Sequence, residues 1–224
     1  MTSPAQYIDH TLLKSDASSA DIARLCEEAV EYGFAAVCIP PCYVPQASRL
    51  LYGSEVAVCT VVGFPFGNQT TEAKSFETSQ AVAAGASEID MVVNLGSVRD
   101  ADFTAVAYDI RQVVAAAGHA VVKVIIECCL LNDDEKRRLV EVVAESGAGY
   151  VKTSTGFAAA GATVEDVSLL VACGASRIKV KAAGGIRDWA SCSGMLSAGA
   201  DRVGTSAGTG IMQEWQKEAG LPWR

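Results

Sequence analysis

Short runs of β-branched and apolar residues recur along the chain, and each is followed by a longer segment whose apolar positions repeat at helical spacing. The runs are AAVCIP at 35–40, VAVCTVVGF at 56–64, EIDMVVN at 88–94, AVVKVIIE at 120–127, YVKTS at 150–154, RIKVKA at 177–182 and DRVGTS at 201–206, with YIDHTL at 7–12 as an eighth. Many are nearly continuous in apolar residues, the pattern of parallel strands covered on both faces. Between them, Asp16 or Ser18 can cap a helix over 19–32, where Ile22, Leu25, Cys26, Ala29 and Val30 form one apolar stripe. Thr70 or Thr71 opens a helix through Ala84, Asp100 or Asp102 one through Ala117, Asn132 one through Glu145, Thr163 one through Ala172, and Asp188 one through Leu196. Several of these close on glycine, and a small-Gly-Ala turn precedes strand after strand, as in Ala84-Gly85-Ala86 and Ser146-Gly147-Ala148.

About eight βα units of ~25–30 residues predict an α/β protein, a single-domain (β/α)₈ barrel spanning 1–224. The competing open, doubly wound sheet wants a GxGxxG turn after its first strand, and this chain has none there.

Half of the 224 residues are hydrophobic and 20% are charged, without a low-complexity tract or an apolar stretch of bilayer length. The net charge of −8 argues against a sequence-independent nucleic-acid binder, which needs a basic surface to displace counterions. A local anion site remains compatible with it. The opening MTSPAQYIDHTLLK lacks a basic leader followed by an apolar stretch, so the expected address is cytoplasmic. Eight cysteines lie mostly among Val, Ala and Ile without CxxC or Cys/His metal spacing, and are expected to be reduced, buried small hydrophobes. His10 and His119 are too few and too isolated for a His-rich metal site.

The chemistry concentrates late in the chain. Lys152 in GYVKTSTGF and Lys181 in RIKVKAAGGIR each end a strand-like run and are followed at once by small, hydroxyl or glycine residues. A lysine becomes a nucleophile when desolvation or a neighbouring cation favours its neutral form, and two converging lysines supply such a cation. Asp90 also lies near the C-terminal end of its run, so in a barrel all three can project into one pocket at the catalytic face. Thr155-Gly156, Gly184-Gly185 and Gly204-Thr205-Ser206 follow consecutive late strands, where backbone N–H groups and helix N-termini can cradle a phosphate. Lys179, two residues before Lys181, is expected on the same side of its strand, either as a second modulating cation or, by preference, paired structurally with Glu127 or Glu88, and Lys123 is read in the same way.

In order along 9–208, the segments DHTLL, VCIPP, VVGFPFG, EIDMVVN, KVIIE, VKTSTGF, VKAAGGIR and DRVGTSAG resemble the deoxyribose-phosphate aldolase family. The resemblance implies reversible cleavage of 2-deoxy-D-ribose 5-phosphate to acetaldehyde and D-glyceraldehyde 3-phosphate, with no metal and no cofactor, in a (β/α)₈ barrel. It implies Lys152 as the Schiff-base lysine, Lys181 as its partner, Asp90 as a proton relay, and phosphate contacts from Thr155, Gly156, Gly184, Gly185 and Ser206. The partners it implies are small phosphosugars and aldehydes, with neither nucleic acid nor membrane, and a homodimer is the candidate assembly. The chain departs from some members of that family at Phe157, where they carry lysine, at Ala207, where they carry a second serine, and at Leu221-Pro222-Trp223-Arg224, where several end in tyrosine. Rival readings are another Schiff-base barrel enzyme acting on a different sugar and a non-catalytic phosphosugar-binding barrel.

Overall fold

Eight strands close on themselves in chain order in the computed structural model, which describes residues 3–220. They are β1 (Ile8–Thr11), β2 (Ala36–Ile39), β3 (Ala57–Val62), β4 (Glu88–Val92), β5 (Val121–Ile125), β6 (Tyr150–Lys152), β7 (Lys179–Ala183) and β8 (Arg202–Thr205). Each pairs in parallel with the next, and β1 closes the ring on β8 through Asp9 opposite Gly204. The strands are shorter than the sequence runs because several predicted residues, such as Ser154 and Ser206, belong to the loops that leave the barrel.

Helices α1 (Ser19–Tyr32), α2 (Val44–Leu50), α3 (Thr71–Ala83), α4 (Leu95–Arg99), α5 (Phe103–Ala117), α6 (Asp133–Glu145), α7 (Val164–Gly174), α8 (Trp189–Ser197) and α9 (Gly208–Glu218) surround the barrel. Seven of them start at a side chain that accepts from a first-turn N–H, namely Ser18, Thr70, Asn94, Asp102, Asn132, Thr163 and Asp188. All but Asn94 are caps the sequence predicts, and at Ser18, Asn132 and Asp188 the third helical residue reciprocates. Three helices escape the sequence reading. Neither α2, with proline in its first turn, nor α9 has a side-chain cap, and α4 is only five residues long.

Alternation along the strands separates two interiors. Ile8, Val37, Ile89, Val124, Val151, Val180 and Val203 point outward and pack in one core with Ile22, Ile110, Leu139, Leu170 and Ile211 from the helices. The other face, inside the barrel, carries a small apolar cluster of Ala36, Cys38, Cys59 and Val61 and an unusual density of charge. Cysteine burial is narrower than expected. Cys26, Cys38, Cys59, Cys128 and Cys192 are buried, but Cys42 and Cys129 lie exposed in 3₁₀ turns after β2 and β5, and Cys173 is half-buried.

Candidate active site

Asp90 is the hub of the barrel interior. Its Oδ2 accepts from Lys152 Nζ and from Lys181 Nζ, each at 2.7 Å. Its Oδ1 accepts from Lys123 Nζ at 2.9 Å and from Cys59 Sγ at 3.2 Å. Strand register explains the convergence: Asp90 sits opposite Lys123, and Lys152 opposite Lys181. The three residues singled out by sequence position are thus in direct contact.

A deeper layer completes the network. Lys181 also donates to Asp9 Oδ2 at 2.5 Å, and Lys123 pairs with Glu88 at 2.5 Å. Arg202 bridges Asp9 and Glu88. Three carboxylates therefore face three ammonium groups and one guanidinium, nearly all withdrawn from solvent. Burial alone would raise the Asp90 carboxyl, yet Lys123, Lys152 and Lys181 outweigh it and hold the group well below the usual carboxylate range. Asp9 follows the same logic: Lys181, Lys123 and Arg202 overcome burial and hold it at about 2. Burial opposes the ammonium form of Lys181 and Lys123, but Asp9 and Asp90 raise the first and Asp90 foremost raises the second. Both remain cations.

Lys152 differs from its two neighbours. Lys181 and Lys123 each contact two carboxylates closely, whereas Lys152 has one, Asp90, and it is the lysine of the three that lines a cavity. That cavity, about 260 Å³, opens at the C-terminal ends of the strands. Thr155, Gly156, Gly184, Gly185 and Ser206, the five candidate phosphate contacts, all line it. Gly184 and Gly185 have left-handed φ values of 86° and 79°, and open space lies where a Gly185 side chain would stand. Thr155, however, spends its N–H and its hydroxyl on the Glu127 carboxylate, leaving its loop braced against the end of β5. The same loop presses on Gly184: a Cβ on Gly161 would stand 2.1 Å from the Gly184 carbonyl oxygen.

Several positions around the cavity and the ion network escape a reading of the sequence. Lys14 and Arg187 put cations on the cavity wall; Phe157, the departure noted in the sequence, lines it too and packs edge-on against Phe64 with ring centroids 5.3 Å apart. Gly204 is small for Lys181, because a Cβ there would come within 3.2 Å of Lys181 Cε. Asp9 and Arg202 carry no local signal, since their partners are set only by closure of the barrel. Lys179 shares the parity of Lys181 but not its depth. It is exposed at the opposite mouth, 5.6 Å above the Tyr150 ring, and pairs with neither Glu127 nor Glu88. Of those two acids, Glu88 pairs with Lys123 and Arg202. His10 is buried and bonded to Glu28 at 2.7 Å. The carboxy-terminal tetrapeptide at 221–224, noted for its missing tyrosine, lies outside the described residues.

A buried lysine opening onto a cavity at the strand ends of a (β/α)₈ barrel, with fixed cations and a carboxylate around it, is a setting suited to amine chemistry. Comparison with known proteins identifies the group. The DeoC/LacD family of aldolases matches residues 4–214, and the chain belongs to that family. It is therefore an enzyme of the aldolase class, a lyase. The deoxyribose-phosphate aldolase of Syntrophotalea carbinolica is 56% identical over 217 residues, covering 97% of this chain and 98% of that one. A Geobacillus protein of the same name is 53% identical over 210 residues, 93% of this chain and 94% of its own. Among solved structures, the tetrameric deoxyribose phosphate aldolase of Aeropyrum pernix superposes with a TM-score of 0.89 at 34% identity, over 96% of this chain and 91% of its own.

Proposed function

We propose that this chain reversibly cleaves 2-deoxy-D-ribose 5-phosphate to acetaldehyde and D-glyceraldehyde 3-phosphate through a Schiff base on Lys152. The observation that carries this reading is the contrast among the three interior lysines: two are locked between carboxylates and one faces the cavity. Lys152, as the free amine, adds to the substrate aldehyde and loses water to form an iminium. The iminium accepts the electron pair of the breaking carbon–carbon bond, leaving an enamine of acetaldehyde on the lysine. Asp90 lies within hydrogen-bond reach of both Lys152 and Lys181, which suits it to carry the hydroxyl proton released on cleavage. Lys181, a cation held by Asp9 and Asp90, returns a proton to the enamine carbon.

The phosphate end has a physical basis as well. Unlike the seven side-chain-capped helices, α9 begins just after Ser206 with no side chain satisfying its first N–H groups. Uncapped first-turn N–H groups and the positive helix end suit an anion. Gly156, Gly184, Gly185 and Ser206 line that end of the cavity, with Lys14 and Arg187 as added cations. Thr155 shapes the loop through Glu127. Among the described residues, no helix is long and apolar enough to cross a membrane. A cytoplasmic address and a homodimer belong to the same reading, and light scattering on the purified chain tests the second.

Turnover assayed on 2-deoxy-D-ribose 5-phosphate tests the substrate assignment. Acetaldehyde should be released, the unphosphorylated sugar should be a far poorer substrate, and Lys152→Ala should lose several orders of magnitude in kcat. Equal rates on both sugars would remove the phosphate cradle from the reading, and a fully active Lys152→Ala protein would remove the nucleophile.

A further inference from the structure

The proposed reaction leaves two reactive groups of the barrel interior unused, the thiols of Cys38 and Cys59. They are register partners on the neighbouring strands β2 and β3, and both are fully buried. Their sulfurs and a carboxylate oxygen of Asp90 lie within 4.8 Å of one another. The spacing of the cysteines along the sequence gives no hint of this, because parallel register brings them together across 21 residues. Strands of one sheet lie about 4.8 Å apart, inside the Cα span of about 4.4–6.8 Å that a disulfide bridges. Both side chains leave the sheet on the same, inward face.

The two sulfurs are chemically unequal. A hydrogen bond with Cys59 lowers the Cys38 thiol from its ordinary range, and Lys181 and Lys152 add to this against burial and Asp90. Burial pushes Cys59 well above that range. Cys59 Sγ donates to Asp90 Oδ1 at 3.2 Å and accepts from Lys123 Nζ at 3.3 Å. One sulfur thus suits attack, and the other is a resolving thiol with an acceptor already placed for its proton.

We propose that Cys38 and Cys59 form a dithiol pair that a hydroperoxide closes into a disulfide, switching off the Lys152–Asp90 site. Hydrogen peroxide is small enough to enter the cavity that Lys152 lines, whose wall includes Thr11, the register partner of the buried Cys38 on the neighbouring strand. The Cys38 thiolate attacks one peroxide oxygen: an S–O bond forms, the O–O bond breaks, and the departing hydroxide takes up the proton that Cys38 lost on ionising. Cys59 then attacks the sulfenic sulfur. An S–S bond forms, the S–O bond breaks, and a second water leaves with the proton that Cys59 had shared with Asp90. Two thiols lose two hydrogens, and one peroxide becomes two waters. The bridge strips Asp90 Oδ1 of its sulfur donor and ties β2 to β3 beside the carboxylate on which all three interior lysines depend.

The test is treatment of the purified chain with hydrogen peroxide, followed by intact mass, peptide mapping without reduction, and turnover. The expected result is loss of two hydrogens, one linked peptide pair joining Cys38 to Cys59, and turnover falling about tenfold or more in step with the link. A thiol reductant reverses both. Cys59→Ala should give no link and leave Cys38 as a sulfenic acid that dimedone traps, whereas Cys38→Ala should give neither product. A link through any other cysteine, survival of both thiols, or a Cys38–Cys59 link with unchanged turnover overturns the proposal. The turnover arm rests on the aldolase reading and the mass arm does not, so a chain without aldolase activity would still reveal whether the pair closes.

Discussion

Asp90 accepts from four donors, and each is a group whose loss would be felt differently. Replacing the carboxylate by the amide keeps the shape but removes both the charge and the proton-accepting oxygen. Asp90→Asn should therefore lower kcat by about 10²–10⁴-fold, the usual scale for a positioned acid–base group. KM should change little, because the candidate phosphate contacts lie on other loops; a large rise in KM with kcat preserved would make Asp90 a binding group instead. Lys152, Lys181 and Asp90 were legible in the sequence because each sits near the end of a strand-like run, where side-chain parity and the barrel rule suffice. Lys123 was legible as a structural cation with Glu88 as its partner, but Asp9 and Arg202 were not, since what they touch depends on the register of strands far apart in the chain. Lys179 shows the limit of parity: it predicts the face but not the depth, and this lysine lies exposed at the far mouth.

Among the elements, the helices legible in the sequence combine a capping side chain with several turns of apolar periodicity; α4 has its cap in Asn94 but only five residues, and α9 has the length without the cap. In the reading given above, the missing cap is where the substrate phosphate sits, so the same absence hides the helix and serves the site. The loop between β6 and α7 has a comparable division of labour. Thr155 anchors it to Glu127, and Gly161 lets it lie directly against Gly184. A methyl group at Gly161 would meet backbone, which cannot swing aside as a flexible side chain can. Gly161→Ala should then lift this loop from the cavity wall and raise KM for the phosphorylated substrate about tenfold or more, with Lys152 still able to form an imine with acetaldehyde. An unchanged KM would show that the loop contact is packing without a part in binding.

The whole molecule is a barrel whose outer faces are apolar and whose interior is ionic, and the second property governs its response to acid. Asp9 is held at about 2 in the folded protein against an ordinary value of 3.8. A depressed carboxylate contributes stability that is complete above the unfolded value and is lost as pH falls through the folded one. Thermal midpoints should accordingly be flat with respect to this group above about pH 5 and fall between about pH 4 and 2. Asp9→Asn should cost about 3–5 kcal/mol at neutral pH, because Lys181 and Arg202 lose a shared buried partner. A variant as stable as the parent would mean that Glu88 and Asp90 carry those cations unaided. The central claim is the covalent one, and borohydride reduction in the presence of acetaldehyde followed by peptide mapping tests it most directly. One ethyl group on Lys152, absent from Lys181 and Lys123, is the predicted result; label on Lys181 with Lys152 untouched, or no label at all, would contradict it.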